Sequence, residues 1–349
     1  MTDPITLLKQ LVAIPSLSRQ EDEKAAFLAA CLAENGCSVQ RVGNNLYTWA
    51  VPYDASKPVV LLNSHIDTVK PNASWTRAPH EPVVEDGCVF GLGANDAHAS
   101  VVSLIATFME LRRTRQAYNM LLGLSCEEEV SGRNGMELLL KNLPPIDFAV
   151  VGEPTGMRLA VAEKGLMVID AVTHGKAGHA ARDEGENAIY KAVNDIQWLS
   201  GYQFPKVSET LGPVKLSVTM IEAGTQHNVV PDTCKYVVDV RINEHYTHQE
   251  VLDVLSTSVQ ATLTPRSMRL CPSGISRDHP FVARCLAQGI ETFGSSTLSD
   301  QALMPFPSVK IGPGESARSH TADEFVKIEE IEQAVPRYIS LLDGLILDK

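Results

Sequence analysis

Three short apolar runs in this chain stop abruptly at polar or acidic residues: VVLLNS (59–64), NMLLGLS (119–125) and DFAVVGEP (147–154). Each is continuous rather than alternating and too short for an ordinary helix. Such a run reads as a strand buried on both faces. SVVSLIATFMELRR (100–113) has apolar residues at helical spacing and basic residues in its last turn, where they complement the helix dipole. GMELLLKNL (135–143) reads as another helix, as do 3–12 and 20–35, and SVKIGPG (308–314) reads as a last buried strand. Strands alternating with helices predict an α/β domain built on a mostly parallel sheet flanked by helices.

The pattern changes after about residue 162. LMVIDAVTH reads as a strand and ENAIYKAVNDIQWLSGY as a helix. KLSVTMIEAG and TCKYVVDVRI read as two strands joined by the polar loop TQHNVVPD. THQEVLDVLSTSVQATL (247–263) reads as a second helix. The order β-α-β-β-α predicts a ferredoxin-like α+β insert. The expected organisation is a discontinuous α/β domain, 1–162 plus 274–349, interrupted by a lid at 163–273. A chain of 349 residues has room for two domains at roughly 150 residues each.

Charge narrows the function classes. The net charge of −12 argues against nucleic acid and against an anionic membrane surface. No apolar stretch reaches the length of a membrane span, and the N-terminus shows no signal-peptide pattern. Seven cysteines without a CxxC suit reduced thiols, so a cytoplasmic setting is expected. Cys126, beside three consecutive glutamates, reads as a small buried hydrophobe rather than a reactive thiol.

The strand ends carry the chemistry. His65 and Asp67 follow the first run, Glu127–Glu129 the second and Glu153 the third. Asp96 sits in the Gly-rich GLGAND, and His320 lies beyond the last strand. Open α/β sheets bind ligands at the carboxyl ends of their strands. Carboxylates gathered there repel one another unless cations neutralise them, and carboxylate plus imidazole suits zinc or a similar ion. In an extended His65-Ile66-Asp67, the two polar side chains share one side, so Asp67 can hold the second nitrogen of a metal-bound imidazole. An isolated His-x-Asp also fits a loop-end histidine with a polar partner.

NSHIDTVKP, GLGANDAHAS, SCEEEVSGRNG, VVGEPT, GKAGHAA and GPGESARSHTADE occur in an order and spacing that resembles the dinuclear zinc deacylases and exopeptidases. That family includes acetylornithine deacetylase, succinyl-diaminopimelate desuccinylase, aminoacylases and carboxypeptidases. The resemblance covers nearly the whole chain. It implies that Asp96 bridges two divalent metal ions, zinc or alternatively cobalt. His65 and Glu153 would complete one site, and Glu129 and His320 the other. Glu128 would be the general base, with Asp67 behind His65. His179 would act on the neighbouring subunit's active site, which implies a homodimer through the lid. Arg241 and Asn228 would hold substrate. The bland readings are a surface histidine for His179, a structural ion pair for Arg241 and loop shaping for Asn228.

The motifs also depart from the family. Leu92 stands where Arg is common, AHAS follows Asp96 where Lys-Gly is common, and Glu127 replaces an aspartate. The implied activity is removal of the acyl group from an N-acyl amino acid, N-acetylornithine or a close relative, in arginine biosynthesis. A succinyl-diaminopimelate or lysine-pathway deacylase, a di- or tripeptidase or carboxypeptidase, and a non-catalytic binding relative are the alternatives.

Overall fold

The computed structural model describes residues 3–182 and 184–347. The chain divides into two compact units, Met1–Val161 with Gly274–Phe293 and Ser299–Lys349, and Ala162–Ser273 with Gly294–Leu298.

The first unit opens with helices α1 (Pro4–Ala13) and α2 (Asp22–Glu34). The Asp3 carboxylate accepts the Thr6 N–H and Pro4 pre-sets the first turn, which starts α1 where the apolar spacing begins. Strands β1 (Asn45–Trp49) and β2 (Val59–His65) lead to helix α3 (Ala99–Leu111) and back to strand β3 (Asn119–Ser125). Every residue of β2 and β3 is buried, as continuous apolar runs require. Successive side chains face opposite layers. Val60 and Leu62 join the core beneath α3, whereas Val59 and Leu61 join a second core with Met136 and Leu139. Helix α4 (Met136–Leu140) carries those last two, followed by strands β4 (Phe148–Val151) and β5 (Leu159–Glu163).

The second unit contains strand β6 (Gly165–His174), a short strand β7 (Gly178–His179), helix α5 (Ala188–Gly201) and strand β8 (Lys215–Ala223). Strands β9 (Val229–Val230) and β10 (Thr233–Ile242), helix α6 (His248–Ser258) and strand β11 (Thr262–Pro265) follow. The antiparallel sheet runs β8-β10-β6-β11, the ferredoxin-like order. Strands β7 and β9 form a separate two-stranded ribbon. The helix expected over 247–263 ends at Ser258, and its last residues enter β11 instead. The Asp195 carboxylate takes the N–H groups of Gln260 and Ala261 at 2.9 and 3.0 Å, which turns the chain out of the helix.

Helix α7 (Pro280–Ala287), strand β12 (Ser308–Lys310) and helix α8 (Ile328–Leu342) complete the first unit. Its sheet places β3-β2-β4-β12 side by side, all parallel. Antiparallel β1 and β5 flank them, so the sheet is parallel at its centre only. The last strand stops at Lys310, short of the Gly-Pro-Gly that the apolar pattern had included. The carboxyl ends of the four parallel strands converge, with His65 opposite Ser125 and Lys310 opposite Val151.

Candidate metal centre

His65 ends β2 fully buried. Its Nδ1 lies 3.1 Å from the Asp67 carbonyl and 3.5 Å from the Asp67 carboxylate. Asp67 is itself fixed by three donors: the Ser18 hydroxyl at 2.7 Å and the N–H groups of Glu128 and Glu129 at 3.0 and 3.1 Å. Burial works against its charge, yet His65 and Ser18 hold its carboxyl below the usual range. An acceptor on Nδ1 puts the ring hydrogen there and leaves Nε2 as the donor atom toward a cation. Nε2 faces Asp96 Oδ1 at 3.2 Å and Glu153 Oε1 at 3.8 Å.

Asp96 stands in the turn before α3. Its backbone N–H and that of Asn95 are held by Glu324 Oε1 at 2.9 and 2.8 Å. Its two oxygens face different imidazoles: Oδ1 toward His65, and Oδ2 toward His320 Nε2 at 3.7 Å. His320 also lies 3.0 Å from Glu129 Oε2. Among the described residues, His65, Asp96 and Glu129 form the one group whose donor atoms all lie within 4.8 Å of one another. Glu153 flanks it on the His65 side and His320 on the other.

The acidic loop holds its shape through Glu127. Glu127 and Ser131 both adopt positive φ, 55° and 45°, on either side of Glu128–Val130. The Glu127 carboxylate accepts both the side-chain and backbone N–H of Asn134, at 2.9 and 3.3 Å. A Cβ at Gly132 would lie 1.9 Å from that carboxylate, and one at Gly135 would lie 2.0 Å from the Cys126 carbonyl. Glu127 is therefore the buckle of the loop, a role the sequence did not reveal. Cys126 is buried against Asn45 and Asn134, and burial pushes its thiol far up, so it is no nucleophile.

Electrostatics set the remaining carboxylates apart. Burial, then the charges of Glu153, Glu129 and Asp300, raise Glu128 well above the usual carboxyl range against the pull of His65. Burial and Asp96 push Glu153 up to about 8. The hydrogen bond that His320 donates to Glu129 raises its ring to about 9. Burial also lifts Glu324 to about 8 and Asp300 to about 6. Carboxylates held this close strain toward protonation or toward a cation. The donor set is imidazole and carboxylate, it is paired across Asp96, and Asp67 orients its buried histidine. These residues fit a pair of divalent ions.

Asp300 was not singled out from the sequence. It bonds the Ser125 hydroxyl at 2.5 Å where β3 enters the acidic loop. Ser18 and Glu324, which hold Asp67 and the turn of Asp96, were likewise missed. They lie 49 and 228 residues from their partners, so spacing gives no signal for them.

The remaining residues expected at the site belong to the second unit. His179 lies exposed on β7 opposite Val229, and its Nδ1 accepts the Ala181 N–H at 3.1 Å. The Asn228 carbonyl accepts the Ala180 N–H at 3.0 Å, so His179 and Asn228 share the ribbon. Arg241 lies at the far end of β10. Its guanidinium is bidentate on Asp239, at 2.8 and 3.0 Å.

A model of the family described as peptidase family M20/M25/M40 matches residues 61–344. A succinyl-diaminopimelate desuccinylase of Stenotrophomonas maltophilia is 25% identical over 381 residues, covering 99% of this chain and 100% of that protein. Among solved structures, a tripeptidase of Staphylococcus aureus superposes with a TM-score of 0.78 at 21% identity, covering 97% of this chain and 96% of that one. A dinuclear metal-binding M20 peptidase of Bacillus subtilis superposes with a TM-score of 0.71 at 19% identity, covering 97% and 96%. These likenesses share the α/β fold described above.

Proposed function

The chain belongs to peptidase family M20/M25/M40, an enzyme family acting on amide bonds, and on that premise we propose that it is a dinuclear metal-dependent deacylase of N-acylated diamino acids. The observation that carries this reading is Asp96, whose two oxygens face His65 and His320 on opposite sides. His65 and Glu153 would hold one ion, Glu129 and His320 the other, with Asp96 between them. Zinc is the first choice for this donor set and cobalt the second. Bound there, the ions supply Lewis acidity and lower the pKa of water.

The chain's own residues supply the rest. Glu128 lies on the acidic loop beside the residues read here as ligands, and its raised pKa suits a carboxylate that takes a proton and returns it to the leaving amine. Asp67 keeps the His65 ring hydrogen on Nδ1. His179 would donate to the oxygen that gains charge as the amide carbon becomes tetrahedral. Asn228 would hold the amide region of the substrate, and Arg241 its carboxylate once Asp239 shares the guanidinium.

The layout of the second unit supports a homodimer. His179 and Asn228 lie beyond the Thr233 end of β10, and Arg241 lies at its other end. Eight residues of antiparallel strand separate those ends by roughly 27 Å, too far for one small substrate to touch both in one chain. Two chains resolve this if His179 and Asn228 serve the partner's centre. Strand β8 is the edge of its sheet and exposes Met220 and Ile221 at 64% and 56%, which offers a surface for pairing.

The relative's name moves N-succinyl-diaminopimelate ahead of N-acetylornithine as the first substrate to test. A panel of N-succinyl and N-acetyl diaminopimelate, ornithine, citrulline and lysine, compared by kcat/KM, decides the acyl group and the amine. The tripeptidase-like fold makes a tripeptide the control arm. Turnover should vanish on chelation and return with zinc or cobalt. Turnover of any of these that survives complete metal removal contradicts the proposal.

A further inference from the structure

Lys24 lies on α2 with only 1% of its surface exposed, an unusual place for a lysine. The hydrogen-bond partner the structure gives it is His98, whose Nε2 lies 2.8 Å from the Lys24 Nζ. His98 is fully buried two residues beyond Asp96, at the start of α3. Its Nε2 also faces the Ile66 carbonyl at 3.3 Å, and that carbonyl accepts the Ser16 hydroxyl at 2.8 Å. At the shorter contact the lysine ammonium can only donate, so Nε2 accepts from it. Nδ1 then carries the hydrogen, buried without a protein partner beside Gly93. A Cβ at Gly93 would fall 2.7 Å from that nitrogen, so the glycine leaves the ring its space.

This contact joins α2, through Lys24, to the turn of Asp96, through His98, and the ring nitrogen it holds lies 3.3 Å from the Ile66 carbonyl at the His65–Asp67 strand end. Burial pushes the Lys24 amine well below its usual value, and the Asp67 charge pulls it back up.

We infer that Lys24 is a positioning residue for the metal centre, delivering from α2, through His98, the buried amine that fixes the Asp96 turn against the His65–Asp67 strand end. The inference rests on His65 and Asp96 being metal ligands, but not on the identity of the substrate. Lys24 touches no reacting atom. It acts by holding two ligands at their working separation, and residues of that kind typically change metal affinity by about 10–100-fold.

The test uses metal affinity of the full-length, metal-stripped protein, read by competition with a chromophoric chelator. Lys24→Met should weaken zinc binding by at least about tenfold. The double variant Lys24→Met/His98→Lys returns an amine to the same place from the other side and should recover affinity to within about threefold of wild type. A residue needed only for packing would not be rescued by moving the amine to another helix. Affinity unchanged in Lys24→Met overturns the proposal, as does a double variant no better than the single one. If Lys24→Met does not fold, a folded double variant with near wild-type affinity supports the proposal, and two unfolded variants overturn it. Two intact zinc sites with no turnover of any acyl amino acid would count against the deacylase reading alone.

Discussion

The two halves of the centre are built differently. His65 is fully buried at the end of a central strand, its ring oriented by an aspartate that three donors hold in turn. His320 stands half-exposed in a loop with φ of 60°, and its contacts are Glu129 and Asp96. A ligand at the end of a buried strand costs little to organise on binding, because folding has already ordered it. A half-exposed ligand in a loop keeps more side-chain freedom to lose when an ion binds. The halves should therefore differ in metal affinity although their donor types match.

Glu128 belongs to neither half, and its removal has the largest effect. Glu128→Gln should lower kcat on the order of a thousandfold while both ions stay bound, because a general base is lost and no ligand is. Elemental analysis beside steady-state kinetics checks this. Loss of metal in that variant would place Glu128 among the ligands and erase the asymmetry.

Mixing variants tests whether the second unit serves its own centre. Glu128→Gln and His179→Ala should each be nearly inactive alone. Refolded together, half of the dimers are mixed, and one of the two centres in each is complete, so about a quarter of wild-type activity should return. No recovery on mixing contradicts a role for His179 across subunits.

The halves separate most directly in single-ligand variants. His65→Ala should weaken its ion by about a hundredfold or more and disturb the second through Asp96, whereas His320→Ala should weaken one ion only. Isothermal titration of the metal-free variants distinguishes the two. Equal losses would break the comparison.

The pH dependence of the metal-free protein follows from the raised groups. Asp300, Glu153, Glu324 and His320 have folded pKa values of about 6, 8, 8 and 9, all above their ordinary values. A raised group contributes stability below its unfolded pKa and loses it as pH rises through the folded one. Asp67 and Asp96 are shifted down, so their contribution fades only in stronger acid. The chelated protein should thus lose Tm steadily from pH 5 to 9. Zinc should stabilise it more at pH 8 than at pH 6, because ligation displaces protons that Glu153 and His320 otherwise hold. A chelated Tm that rises over that range contradicts the assignment.

The smallest effect is expected at the support of the buried half. Ser18→Ala removes one of three donors to Asp67 and should weaken the His65-side ion by a few-fold only, since the two loop N–H groups remain.

Much of this was legible in the sequence because buried parallel strands must be apolar throughout, so their ends are marked by the first polar residue. That located His65, the acidic loop and Glu153, with Asp96 marked by its Gly-rich turn and His320 by its place beyond the last strand, and the family resemblance supplied how they would pair. The strand β11 was hidden because Val259 and Leu263 continue the apolar spacing of Val251 and Leu255 in α6, and Asp195, more than sixty residues away, turns the chain out of the helix. Asp300, Lys24 and Glu324 were illegible for a similar reason. Each acts through a contact between distant segments, and its residue type alone suggests an exposed charge; Glu127 holds nearby Asn134, but one glutamate among three gives no sign of it.

The central claim is that Asp96 joins two ions, and the number of ions retained by Asp96→Asn tests it most directly. Metal-stripped wild type and variant are equilibrated with zinc, desalted and analysed for metal per chain, with circular dichroism confirming the fold. The account predicts two zinc ions in the wild type and a loss from both sites in the variant. Two tightly bound ions retained by folded Asp96→Asn would contradict it.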